Sequence, residues 1–157
     1  MTSFGVYVPQ MGFSFDDVLH RARRCEELGI ESLWLYDHLW GPGVPTLPSF
    51  EAWTLATALL ARTERLRVGH LVLCQSFRNP ALLAKMGATL QFMSGGRFIL
   101  GIGAGWHEEE YRAYDYDYPS AGVRVAQLEE AVQIIKAMWT EEKATFEGKY
   151  YRVSEAY

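Results

Sequence analysis

The stretch Gly96–Tyr111, GRFILGIGAGWHEEEY, decides the fold class: an apolar run passes into spaced glycines and then into an acidic segment that starts a helix. Phe98, Ile99, Leu100 and Ile102 suit a short strand buried on both faces, as in a parallel sheet covered by helices. Gly101, Gly103 and Gly105 strip side chains from its C-terminal end, so a flat or bulky group can approach the backbone. Glu108, Glu109 and Glu110 favour a helix start, because their charges complement the positive end of the macrodipole. The spacing is G-x-G-x-G, without the third glycine of the dinucleotide fingerprint and without an obvious acidic residue downstream for a ribose. Two readings of the glycines stand side by side: a ligand wall, or close packing of a helix on a strand.

The same theme recurs upstream. Phe4–Val8 reads as a strand, and Ser14 can cap a helix with Val18, Ala22 and Cys25 on one face and Gly29 as its stop. Glu31–Tyr36 forms a second strand ending at Asp37 and His38. The Gly/Pro-rich segment 41–48 is a long loop, and Ser49 can cap a helix through Trp53, Ala56 and Leu60. Leu66–Leu73 reads as a third strand. Asn79 and Pro80 cap and open a helix carrying Leu83, Met86, Leu90 and Met93. After the glycine segment, Val125, Leu128, Val132, Ile135 and Trp139 form one helical stripe, and Thr145–Val153 around Gly148 reads as a β-hairpin. Four βα units in succession imply a parallel sheet with right-handed crossovers, either open and doubly wound or closed as a barrel. In both, Pro9, Asp37, His38, Leu71–Gln75 and Gly103–His107 lie at strand C-termini and are expected to share one rim.

Composition narrows the function classes. With 157 residues and 49% hydrophobic content, the chain buries one ordinary core or forms part of a larger domain. A net charge of -4 with no Lys/Arg-rich run argues against a nucleic-acid partner. Apolar stretches are far shorter than a bilayer span, and the N-terminus leads straight into a strand-like FGVYVP, so the expectation is a soluble cytoplasmic protein with a small-molecule substrate. Cys25 and Cys74 are unclustered and read as free, reduced thiols. His107 with Glu108–Glu110 invites a metal reading, but no second cluster completes a ligand set, so a charged, solvated first turn and no metal are expected.

The combination of DHLW at 37–40, FRNPALLAKMGATL at 77–90, the glycine segment and the late EGKYY resembles the luciferase-like monooxygenase superfamily, in particular its coenzyme F-420-dependent oxidoreductases. The resemblance runs from Phe4 to about Tyr151. It implies a (βα)8 TIM barrel that binds a deazaflavin, the 8-hydroxy-5-deazaflavin F-420, or in other branches FMN, at the strand C-termini. Such a barrel takes about 250 residues. The resemblance therefore implies the N-terminal half-barrel only: about four parallel strands with flanking helices, with a rim loop at 41–48 and a hairpin insertion at 144–153, as one partial domain over 1–157. The expectation is a truncated chain, or one that pairs with another copy as a homo-oligomer or with a complementary half-barrel.

The resemblance also implies site residues. Asp37 and His38 would lie by the cofactor ring, with His38 as catalytic proton donor; the plain alternative is a histidine that only hydrogen-bonds in the rim. Leu71 and Val72 align with a non-prolyl cis peptide that forms a bulge behind the ring. Cys74 aligns with a small polar contact to the cofactor, or is a buried small hydrophobe. Ala104, Gly105 and Glu109 would also approach the cofactor, and Arg78 could meet its phosphate or acidic tail. Trp40 and Trp106 would line the substrate pocket. Trp106 stands where the family's sugar-phosphate dehydrogenases carry an active-site glutamate, which speaks against glucose 6-phosphate and for a flatter, more apolar substrate; simple packing is the other role open to it. The implied activity is hydride transfer between F-420 and an organic substrate. An FMN-dependent monooxygenase, a catalytically inactive half-barrel and a metal-dependent barrel hydrolase are the alternatives.

Overall fold

A computed structural model describes residues 3–157. In chain order the elements are β1 (Gly5–Tyr7), α1 (Phe15–Glu27), β2 (Ser32–Leu35), α2 (Ala52–Arg62), β3 (Arg67–His70), β4 (Leu73–Cys74), α3 (Pro80–Met93), β5 (Phe98–Ile99), β6 (Ile102–Gly103), α4 (Glu108–Ala113), α5 (Ala121–Thr140), β7 (Ala144–Glu147) and β8 (Arg152–Ala156). They fall into two compact units, residues up to 73 with 90–101, and residues 74–89 with 102–157.

The first unit is built on a four-stranded sheet in the order β1-β2-β3-β5, every pair parallel. Register aligns Val6, Leu33, Val68 and Phe98 in one row across all four strands. This row meets Val18, Leu19 and Ala22 of α1 and Leu55, Ala56, Leu59 and Leu60 of α2 in the core. Each large apolar side chain buried there contributes about 1.5–3 kcal/mol. The neighbouring row, Tyr7, Trp34, Gly69 and Ile99, points to the opposite face. Trp34 lies flat across its neighbours: a Cβ on Gly69 would come within 2.8 Å of its ring, and one on Gly5 within 2.5 Å.

Local chemistry sets the element ends. Ser14 caps α1 as expected, in a capping box completed by Asp17, and Gly29, at φ +73°, ends it. Ser49 does not cap α2. The Glu51 carboxylate, closer to the helix, accepts from the N–H groups of Trp53 and Thr54, while the Ser49 hydroxyl bonds that of Tyr36 at 2.9 Å. The third strand is shorter than the expected 66–73, because the ladder ends at His70 before Leu71 and Val72. Nor is the apolar run after Gly96 buried on both faces. Phe98 is buried, whereas Ile99, Leu100 and Ile102 are half-buried, and Gly101 divides the run because a Cβ there would meet the His70 carbonyl oxygen at 2.0 Å.

In the second unit, Asn79 caps α3 by accepting from Ala81 and Leu82. On α3, Leu83 and Leu90 are buried as expected, but Met93 is 67% exposed. β4 and β6 pair as a short ladder, and β7 and β8 form the expected antiparallel hairpin, which runs on to Ala156. The buried side of α5 is rotated from the expected stripe: Arg124, Ala131, Ile134 and Ile135 are buried, while Val125 and Trp139 are exposed. Trp139 anchors its indole N–H to the Ala84 carbonyl at 2.9 Å, which suits an aromatic half in solvent. Among the described residues, no helix is long and apolar enough to cross a membrane, and both cysteines are free thiols.

Candidate functional site

The residues expected on one rim fall in both units. In the first, Leu35 is level with His70, and just past the strand the Leu71 N–H donates to the Leu35 carbonyl at 2.7 Å. Asp37 and His38 therefore leave β2 beside Leu71 and Val72, which leave β3. The Leu71–Val72 peptide is cis, as the resemblance implied. Leu71 is 58% exposed and Val72 41%, so two apolar side chains are displayed at the end of the sheet rather than buried. Asp37 beside them is buried and His38 half-buried. The His38 ring lies 5.6 Å from that of Tyr36, which in turn lies 6.3 Å from that of Tyr7.

Two buried polar residues support this end of the unit from behind. Gln10 is fully buried; its side-chain amide donates to the Phe50 carbonyl at 2.8 Å, and the Phe50 N–H donates back to the Gln10 carbonyl. These bonds fix the end of the loop that begins at Gly41. Trp40, at the entry to that loop, is half-buried. His70 points to the helical side, where its ring stacks on Trp53 at 5.8 Å and its Nε2 contacts the Ala52 carbonyl at 3.2 Å. It is a core histidine.

In the second unit the glycine segment runs from β6 into α4. Cys74 is buried, and its Sγ lies 2.9 Å from the hydroxyl of fully buried Tyr111. The Tyr111 hydroxyl also donates to the Ala104 carbonyl at 3.4 Å and can accept from the Ser76 hydroxyl at 3.0 Å. Burial, reinforced by the bond to Cys74, pushes the Tyr111 phenol above its ordinary range, so it stays a neutral donor. Gly105, at φ +76°, makes room for this group: a Cβ there would fall 2.0 Å from the Tyr111 oxygen and 2.7 Å from Cys74 Sγ. Trp106 is 62% exposed and, with His107, Glu108, Glu109 and Arg112, lines an open cleft of about 450 Å³. The first turn of α4 is not uniformly solvated. Glu108 and Glu109 are exposed, but Glu110 is buried, with Oε2 3.4 Å from Nδ1 of His107, because the third residue of the turn faces inward.

Sequence reasoning missed Gln10, Tyr111 and Arg124. Arg124 carried a signal: a cation in the first turn of a helix opposes the macrodipole, and a local rule broken this way marks a residue held by its surroundings. Tyr111 and Gln10 carried none, since their partners are distant or on other elements.

A profile of the luciferase-like monooxygenase family matches residues 1–157. The chain belongs to this family. Among curated relatives, a protein named F420-dependent glucose-6-phosphate dehydrogenase from Amycolatopsis mediterranei is 36% identical over 143 residues, covering 89% of this chain and 42% of its own length. Among solved structures, an F420-dependent secondary alcohol dehydrogenase in complex with an F420-acetone adduct superposes with a TM-score of 0.87 at 29% identity, over 99% of this chain and 48% of that one. The oxygenating constituent of 3,6-diketocamphane monooxygenase from the CAM plasmid of Pseudomonas putida, in complex with FMN, gives a TM-score of 0.80 at 25% identity, over 96% of this chain and 43% of that one. The chain thus spans less than half the length of these luciferase-like relatives. Its four parallel βα units are those of the N-terminal half of the family's (βα)8 barrel.

Proposed function

We propose that the protein carrying this chain is an oxidoreductase that transfers a hydride between coenzyme F-420 and a small organic substrate. The observation that carries this reading is the pair of exposed apolar side chains, Leu71 and Val72, next to buried Asp37 and half-buried His38 at the C-terminal end of a parallel sheet. An apolar ledge beside polar groups fits a flat ring with a polar rim, and strand C-termini are where such folds bind ligands. When bound, the deazaflavin supplies the carbon that gives or accepts the hydride.

The chain's own residues bind, orient and move a proton. Leu71 and Val72 back the ring, and Asp37 and Cys74 meet its polar edge. Ala104, Gly105 and Glu109 of the second unit meet the cofactor as well. His38 takes or gives the proton at the substrate oxygen. Trp40 and Trp106 enclose the substrate. With an indole in place of a carboxylate at position 106, the substrate is a neutral organic molecule of modest size rather than a sugar phosphate, although the Amycolatopsis relative is named for glucose 6-phosphate.

FMN in the same place, serving a monooxygenase, is the second reading; the likeness to the FMN-bound Pseudomonas protein supports it. Separate titrations of the purified protein with F-420 and FMN, read by absorbance and fluorescence, decide between them. Binding of F-420 supports the first reading, binding of FMN alone supports the second, and binding of neither removes both. Among the described residues β1 and β5 are the edge strands of the sheet, which further supports a partner, another copy or a complementary half-barrel. Free Cys25 and Cys74 agree with a cytoplasmic setting.

A further inference from the structure

Three consecutive carbonyls in the second unit are each held by a different side chain. Tyr111 donates to Ala104, Arg124 Nε donates to Gly105 at 3.3 Å, and Tyr118 donates to Trp106 at 2.9 Å. The three side chains form one packed group: the Arg124 guanidinium lies 4.1 Å over the Tyr118 ring, and the Tyr118 ring meets that of Tyr111 edge-on at 5.0 Å. Arg124 is buried and also donates to the Pro119 carbonyl; among the described residues no carboxylate pairs with it. A buried cation costs several kcal/mol unless its donors are met, and here backbone carbonyls and an aromatic face meet them. Its rigid planar fork serves two carbonyls at once, which an ammonium would not reproduce.

In a trans peptide the N–H points away from the preceding carbonyl. Drawing the carbonyls of 104–106 toward one side-chain group therefore turns the N–H groups of Gly105, Trp106 and His107 to the other side of the segment. We propose that Arg124, Tyr118 and Tyr111 form a carbonyl clamp that positions the 104–106 segment, so that its backbone donors face the cofactor. These are positioning residues. They act through the segment rather than by touching the reacting atoms, and the assignment rests on the cofactor reading proposed above.

The test compares the unaltered protein with Tyr118→Phe and Arg124→Met, measuring the dissociation constants of F-420 and FMN, the absorption band of the bound cofactor and the melting temperature. Tyr118→Phe keeps the ring beneath Arg124 and removes only the donor to Trp106, so it remains informative if Arg124→Met does not fold. The clamp predicts binding weakened about 5-fold in Tyr118→Phe and about 10- to 100-fold in Arg124→Met, by analogy with supporting partners of metal ligands. It further predicts a shifted absorption band of the bound cofactor in both variants, which a purely structural role would not give. Variants that bind with unaltered affinity and spectrum while the unaltered protein binds a cofactor overturn the clamp alone. An unaltered protein that binds neither cofactor overturns both the clamp and the reading beneath it.

Discussion

Gly105 and His38 concentrate the account at the residue scale. At Gly105 the left-handed φ of +76° and the crowding by Tyr111 and Cys74 act together against any side chain. Gly105→Ala is expected to lower stability by about 1–3 kcal/mol, read as a drop in melting temperature, because the phenol must leave its three partners to admit a methyl group. An unchanged melting temperature would contradict this packing. For His38, removal of a positioned acid or base should lower turnover about 10²- to 10⁴-fold, so His38→Gln should lose kcat while cofactor affinity changes only a few-fold. Full activity in that variant would leave His38 as a rim histidine that only hydrogen-bonds. The glycines and Asp37-His38 were legible in the sequence, since they are short-range signals at strand ends. Arg124 and Tyr111 were not, because their roles depend on carbonyls 19 and 7 residues away in the chain.

At the scale of elements, two glutamates do the same work in different places. Glu26 on α1 accepts from the backbone N–H groups of Glu64, Arg65 and Leu66, and Glu130 on α5 accepts from Lys149, Tyr150 and Tyr151. Gly148 admits the Glu130 carboxylate, which a Cβ would meet at 2.4 Å. Desolvation alone would raise the Glu130 pKa, but the three donors outweigh it and hold the group below the ordinary glutamate value. A depressed carboxyl pKa contributes stability that is fully present above the unfolded value and is lost as pH falls through the folded value. The protection of the 149–151 amides, taken relative to their intrinsic exchange rates, is therefore expected to fall on acidification below the ordinary glutamate range, and Glu130→Gln should abolish that pH dependence. Equal protection at all pH values in both proteins would remove Glu130 from this role. Element order and the parallel sheet could be read from periodicity because they reflect which residues are apolar. The exposed Val125 and Trp139 could not: helical spacing fixes which residues share a stripe, and tertiary contacts decide which edge of it is buried.

For the whole molecule, the decisive fact is that these four βα units match less than half of each luciferase-like relative. Among the described residues β1 and β5 are the edges of the four-stranded sheet, and a sheet edge is a template for further pairing. Residues 1–157 produced alone are expected to self-associate in size-exclusion chromatography with light scattering, and a monodisperse monomer with a cooperative melt would contradict this. The ledge of Leu71 and Val72 beside Asp37 and His38 is expected to hold a deazaflavin. This is tested most directly by titrating the protein that carries this chain with F-420 and following the fluorescence of the cofactor. Saturable binding that is lost in Val72→Asp is expected, whereas equal binding in Val72→Asp, or no binding by the unaltered protein, rules out the ledge as the cofactor site.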